Sequence, residues 1–210
     1  MHISEGVLSP SVLVAGAALT TAGVAVGLKR LDHEEIPSAG ILSAAFFVAS
    51  LVHVPAGPAS VHLVMNGLLG LILGWKAFPA ILVGLGLQAL LFQFGGLTTL
   101  GVNTLNMALP AVICYYLFGW GAKAGTRQHV LTITAFACGS CAVLFSGVMV
   151  GFSLYLTGEA FLPAAKLVVA AHLPVMFIEG GLTAACAFFL RRVRPELLEG
   201  QYVPKSASQF

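Results

Sequence analysis

The sequence predicts an all-α integral membrane protein, a bundle of about seven transmembrane helices. Three observations lead there. Of the 210 residues, 58% are hydrophobic and only 9% charged, with a mean hydropathy of +0.95; soluble domains carry roughly 25% charged residues. The apolar residues come in long runs, whereas the strands of a membrane barrel alternate over about 10 residues. The basic residues gather on alternate connections between those runs, the charge signature of a multi-pass chain.

Seven apolar segments lie between breakers, at roughly 9–28, 38–52, 59–75, 79–94, 104–120, 130–156 and 167–190. Each approaches the about 20 residues needed to span, the second and third being short. Ser9-Pro10 opens the first helix, with serine as N-cap and proline at the first helical position. Pro37-Ser38 and Phe78-Pro79 open the second and fourth similarly. A secretory signal carries positive charge ahead of its apolar core; here Glu5 precedes the core and Lys29-Arg30 follow it, so Met1 and His2 are expected to be retained. The first segment is dense in small residues, with Ala18-x-x-x-Ala22 and Gly23-x-x-x-Gly27. Such spacing suits an internal helix contact and a partner-docking face alike.

Connections after segments one, three, five and seven hold Lys29 and Arg30, Lys76, Lys123 and Arg127, then Arg191, Arg192 and Arg194; with Lys205 in the tail, nine of the ten basic residues fall on one side and Lys166 alone on the other. By the positive-inside bias the amino terminus lies outside and the carboxyl terminus in the cytoplasm. Residues 1–194 thus read as one membrane domain and 195–210 as a polar cytoplasmic tail.

Several function classes are unsupported. The basic residues stand singly or in pairs, so nothing points to nucleic acid. There is no phosphate-binding G-x-x-x-x-G-K-[ST] loop, no H-E-x-x-H and no G-x-S-x-G elbow, which argues against an enzyme of those types. Cys114, Cys138, Cys141 and Cys186 all lie in apolar segments and read as small helix-packing residues, despite the Cys138-x-x-Cys141 spacing.

Ionisable groups inside membrane segments are costly and therefore informative. His53, His62, His172 and Glu179 are the four here. His62 follows the turn Pro55-Ala56-Gly57-Pro58, about one turn below the outer surface, and serves either as a metal ligand or as a hydrogen-bonded interhelical histidine. His53 falls at the outer boundary, where exposure costs little. His172 and Glu179 are two helical turns apart on one face, with Pro174 and Gly180-Gly181 loosening the helix. Glu179 needs an amide or hydroxyl partner. The glycine-rich stretch Gly95–Asn106 reads as an outer loop, either a cover for an amino-terminal site or ordinary surface.

The amino terminus, Met1-His2-Ile3-Ser4-Glu5-Gly6, carries its own chemistry. An α-amine, the backbone nitrogen of His2 once deprotonated, and the His2 imidazole form fused chelate rings. They offer three nitrogens of a square, and tetragonal nitrogen coordination selects Ni(II) or Cu(II). An outer His62 is placed to supply the fourth.

These residues resemble a known family. The opening hexapeptide, Val61-His62, Gly101-Val-Asn-Thr-Leu-Asn-Met-Ala108, and His172 with Ile178-Glu179-Gly180 are similar to the CbiM/NikM family, along residues 1 to about 190. Its members are the substrate-binding S components of energy-coupling factor (ECF) transporters for cobalt and nickel, in the prokaryotic cytoplasmic membrane, with cobalt uptake serving cobalamin biosynthesis. The resemblance implies that Met1, His2 and His62 hold the metal, with Glu5, Asn103, Asn106 and His172 around it. It implies Ni2+ or Co2+ as transported substrate, with no organic cofactor. The implied partners are a transmembrane coupling (T) subunit, cytoplasmic ATPase (A) subunits and a small accessory membrane subunit. Ser4 departs from many members and is given no role. The rival reading is a secondary or proton-coupled cation transporter relaying protons through His62, His172 and Glu179.

Overall fold

The computed structural model describes residues 2–56, 59–123 and 125–199, the side chains at 53–62 and 199 excepted. Helices α1 (Pro10–Lys29) and α2 (Ile36–Ala49) come first, followed by a two-stranded antiparallel hairpin, β1 (His53–Ala56) and β2 (Ala59–His62). Then come α3 (Asn66–Leu73), α4 (Ala77–Phe92), α5 (Leu100–Phe118), α6 (Gln128–Thr157), α7 (Leu162–Val193) and the short α8 (Glu196–Glu199). Among the described residues, α1 to α7 make the expected bundle of seven helices, with the short α8 after it. Among the described residues, five stretches are long and apolar enough to cross a membrane: Pro10–Lys29, Asn66–Phe92, Leu100–Ala122, Gln128–Thr157 and Glu159–Val193.

The second of those stretches is folded back on itself. Asn66 donates to the Met107 carbonyl at 3.1 Å, and Trp75 Nε1 reaches the Tyr116 hydroxyl at 3.0 Å, so α3 runs beside α5 in the same direction. Gly74, at φ +54°, makes the reversal. From there α4 returns, and Phe94 just beyond it sets its ring beside that of His2 at the amino-terminal end, the centroids 6.3 Å apart. With 8 residues, α3 covers only about 12 Å. All eight are buried, which suits its all-round apolar sequence at the centre of the bundle.

Three expectations are corrected here. Residues 59–62 of the third predicted segment are strand rather than helix, and α2 stops at Ala49. The two prolines of the 55–58 turn explain the first difference, since proline breaks a helix and suits turns and edge strands. Asn103 and Asn106 lie on α5, which begins at Leu100, rather than on a loop.

Helix packing answers the question left open by the small residues of α1. Gly16, Gly23 and Gly27 are buried against Val102, Phe78 and the Trp75–Pro79 turn, so the glycine pair is an internal contact; Ala18 and Ala22 face outward. The seam between α6 and α7 is closer still. A Cβ at Gly139 would stand 2.7 Å from the Glu179 carbonyl, and one at Gly180 would stand 2.9 Å from the Phe136 carbonyl. Gly180 thus tightens a continuous helix instead of loosening it. The four cysteines are free, Cys114 and Cys138 buried and Cys141 and Cys186 partly so.

Charge is segregated along the bundle. Lys29, Arg30, Lys76, Lys123, Arg127 and Arg191–Arg194 lie at the end opposite the amino terminus, where Lys76 pairs with Glu35 at 2.5 Å and Arg30 sits over the Trp75 ring. Lys166 stands near the start of α7 at the other end.

Candidate metal site

The amino-terminal strap is drawn into the bundle by one asparagine. The Ile3 N–H donates to Asn103 Oδ1 at 2.9 Å, and Asn103 Nδ2 donates back to the Ile3 carbonyl at 3.1 Å. The same Nδ2 reaches Thr99 Oγ1 at 3.2 Å, on the residue that caps the start of α5. This reciprocal pair mimics a strand ladder with a side chain as the second strand, and it fixes which way the amide faces. Ile3 is fully buried and His2 4% exposed.

A second clasp follows two residues later. The Glu5 N–H donates to the Gly95 carbonyl at 3.0 Å, while Glu5 Oε1 accepts from the Thr98 N–H at 3.0 Å. Glycine is required under this clasp. A Cβ on Gly96, at φ +139°, would stand 1.8 Å from Glu5 Cγ, and one on Gly95 would stand 3.3 Å from His2 Cδ2 and 2.9 Å from Asn103 Nδ2. His2, Asn103, Glu5 and the glycines 95 and 96 therefore form one small constellation.

Asn106 lies one turn below Asn103 on the same face of α5. Its Oδ1 accepts from Ser153 Oγ of α6 at 3.2 Å, and its Nδ2 has no hydrogen-bond partner among the described residues. His172 of α7 packs over Gly147 of α6. Its Nδ1 lies 2.6 Å from the Val168 carbonyl; a carbonyl only accepts, so Nδ1 carries a proton, and in the neutral ring the lone pair is then on Nε2. That Nε2 is buried without a partner among the described residues. Both residues are fully enclosed, at 0% exposure, so each of these polar atoms is set apart from bulk solvent.

The strap thus brings His2, Glu5 and Asn103 together, whereas Asn106 and His172 stand deeper, each against its own part of α6. Met1 lies outside the described residues. His62 has its backbone in β2, paired with His53, and its side chain lies outside the described residues. Among the described residues no three His, Cys, Asp or Glu side chains converge to hold an ion. A chelate using main-chain nitrogens needs no such trio.

Some buried polar groups escaped sequence reasoning. Asn66 opens α3 and donates to Ser146 Oγ at 2.9 Å as well as to Met107. Gln88 donates to Ser50, tying α4 to the end of α2. A lone amide in an otherwise apolar span was the available signal. Glu179 takes the backbone amides of Val64 and Met65, the amide partners its position requires.

A helical multi-pass bundle that seats its own amino-terminal strap among buried polar side chains defines a membrane protein with an enclosed polar site at one end. Comparison narrows the class. The family model for the cobalt uptake substrate-specific transmembrane region, CbiM, matches residues 2–197. A putative metal transport protein of Haemophilus influenzae is 41% identical over 199 residues, covering 94% of this chain and 97% of that protein. The cobalt transport protein CbiM of Sorangium cellulosum is 30% identical, covering 99% and 98%. The fused nickel transport protein NikMN of Rhodobacter capsulatus is 31% identical; it covers 97% of this chain, which spans 65% of the fused protein. A crystal structure of a truncated transition metal transporter superposes with a TM-score of 0.72 at 27% identity, covering 92% of this chain and 99% of that one. The chain belongs to the CbiM family, the membrane components of cobalt and nickel transport, and is a multi-pass membrane protein.

Proposed function

We propose that this chain is the substrate-binding component of an ECF-type importer, carrying Ni2+ or Co2+ from outside to the cytoplasm. The cargo is held by the α-amine of Met1, the backbone nitrogen and imidazole of His2, and the imidazole of His62. Glu5 and Asn103 seat the strap, and Asn106 and His172 complete the polar surround. The observation that carries this reading is the burial of residues 2 and 3 on a pair of side-chain hydrogen bonds. A terminus that only led into α1 would have no need of them.

The charge segregation supports an orientation with the basic end in the cytoplasm and the strap outside. The proposed partners are a T subunit and separate cytoplasmic A subunits that hydrolyse ATP, since no nucleotide loop is present here. A small accessory membrane subunit is proposed because relatives are named as fused NikMN transport proteins, which points to a second component working with this one. Deprotonating the His2 amide lowers the charge of the complex and leans toward nickel, while relatives carry both nickel and cobalt in their names. The proton-relay alternative draws less support: Glu179 and the His172 Nδ1 are each engaged with backbone groups.

The test compares the native chain with one bearing a single residue before Met1, by equilibrium dialysis against Ni2+ and Co2+. The native chain is expected to bind one ion and the extended chain to lose nearly all affinity. Equal binding by both refutes the amino-terminal chelate.

A further inference from the structure

Glu179 is 0% exposed and lies in the middle of α7. Burying a carboxylate costs several kcal/mol unless charge or hydrogen bonds compensate. Among the described residues no basic group pairs with it. Among the described residues its hydrogen-bond partners are main-chain donors. The Val64 N–H bonds Oε1, and the Met65 N–H bonds both oxygens, at 3.1 and 3.0 Å. Those amides belong to the three-residue connection that follows β2 and precedes α3, where Met65 is held at φ +52°.

The carboxylate is itself held rigidly. Gly180 presses α7 onto Ser140 and the Phe136 carbonyl, and Gly139 admits the Glu179 carbonyl and Thr183 from the other side. Neither contact tolerates a Cβ without a shift. On the far side of the connection, Asn66 is pinned to Met107 and Ser146. Residues 64–66 are therefore fixed to α5, α6 and α7 by two wholly buried polar side chains. Val64 is only two residues from His62, a reach of about 7 Å.

We propose that Glu179 is a positioning residue for the cargo: it anchors the connection after β2 to the rigid α6–α7 seam and so sets where His62 enters the site. The proposal rests on the reading of His62 as a ligand. A large apolar side chain at 179 fills the same space without cost of charge, so the carboxylate serves geometry, by aligning two consecutive main-chain amides. Partners one step removed from a metal ligand typically change affinity 10–100-fold when lost.

The experiment measures Ni2+ binding to the full-length chain by dialysis and by the visible absorption of the nickel complex. Glu179→Leu and Glu179→Gln are the variants, with helix content and thermal unfolding read in parallel. Glu179→Leu removes both acceptors and is expected to weaken binding about 10–100-fold and to alter the absorption band. Glu179→Gln keeps one acceptor oxygen but turns an amide NH2 toward the Met65 N–H. It is expected to fold as the native chain does and to bind several-fold more weakly. A Gln variant that binds as tightly as the native chain, with the same absorption, overturns the proposal whatever the Leu variant does. A loss of thermal stability without loss of affinity overturns it equally, since that is the mark of a merely structural group. If the native chain binds no Ni2+, the site reading itself fails, and that result is distinct because it precedes any substitution.

Discussion

Asn103→Ala is the sharpest test of the strap. The substitution removes two hydrogen bonds to Ile3, at 2.9 and 3.1 Å, in a place where both Ile3 and Asn103 are shielded from solvent. A buried amide or carbonyl left without its partner costs about 1–3 kcal/mol. The released strap regains water for both groups, so the cost is felt as a shift from docked to undocked rather than as unfolding. Taking about 1 kcal/mol for each bond gives about 2 kcal/mol in all, or roughly 30-fold weaker Ni2+ binding at 25 °C. Asn103→Asp keeps the acceptor for the Ile3 N–H and loses the donor, and is expected to fall between. Titration calorimetry or dialysis reads the affinity, and far-UV circular dichroism confirms that α5 is intact. Unchanged affinity in a folded Asn103→Ala protein refutes the claim that the Ile3–Asn103 pair holds the site together.

Three further outcomes follow from the same geometry. Gly96→Ala drives a Cβ into Glu5 and strains a residue at φ +139°, so Ni2+ affinity should drop about tenfold, with faster hydrogen exchange at residues 95–98. Gly23→Leu meets the Phe78 ring and should lower the unfolding temperature by several degrees, whereas Ala18→Leu, on the outward face of the same helix, should leave it nearly unchanged; equal effects would contradict the assignment of faces. Binding through an amine and two imidazoles competes with protons, whose ordinary pKa values are near 7.7–8.0 and 6.5. Affinity should therefore fall at least about 100-fold from pH 8 to pH 6, in the direction of proton uptake by the free ligands, and a flat profile argues against these donors.

The helices and their charge segregation were legible in the sequence because both are properties of single segments. Ser9-Pro10 marks the true start of α1, and the basic connections do fall at one end. The hairpin was not legible, since Val54, Val61 and Leu63 keep the hydropathy high in strand and helix alike, and only the prolines 55 and 58 distinguish them. Asn103 and Asn106 were singled out but placed on a loop. Their spacing of three, one helical turn, was the unused clue. The partners of Glu179 lie more than a hundred residues upstream and are backbone amides, which carry no side-chain signature. Non-local main-chain contacts leave no trace in composition or period.

That separation also has a consequence for synthesis. Val64 leaves the ribosome 115 residues before Glu179. At about 5–20 residues per second the interval is roughly 6 to 23 s. Throughout it, two amides in a non-helical stretch have no acceptor from α7, and lipid offers none. The connection into the central eight-residue helix therefore gains its carboxylate acceptor only once α7 has been made, and a nascent chain cut short before α7 lacks that acceptor at its centre.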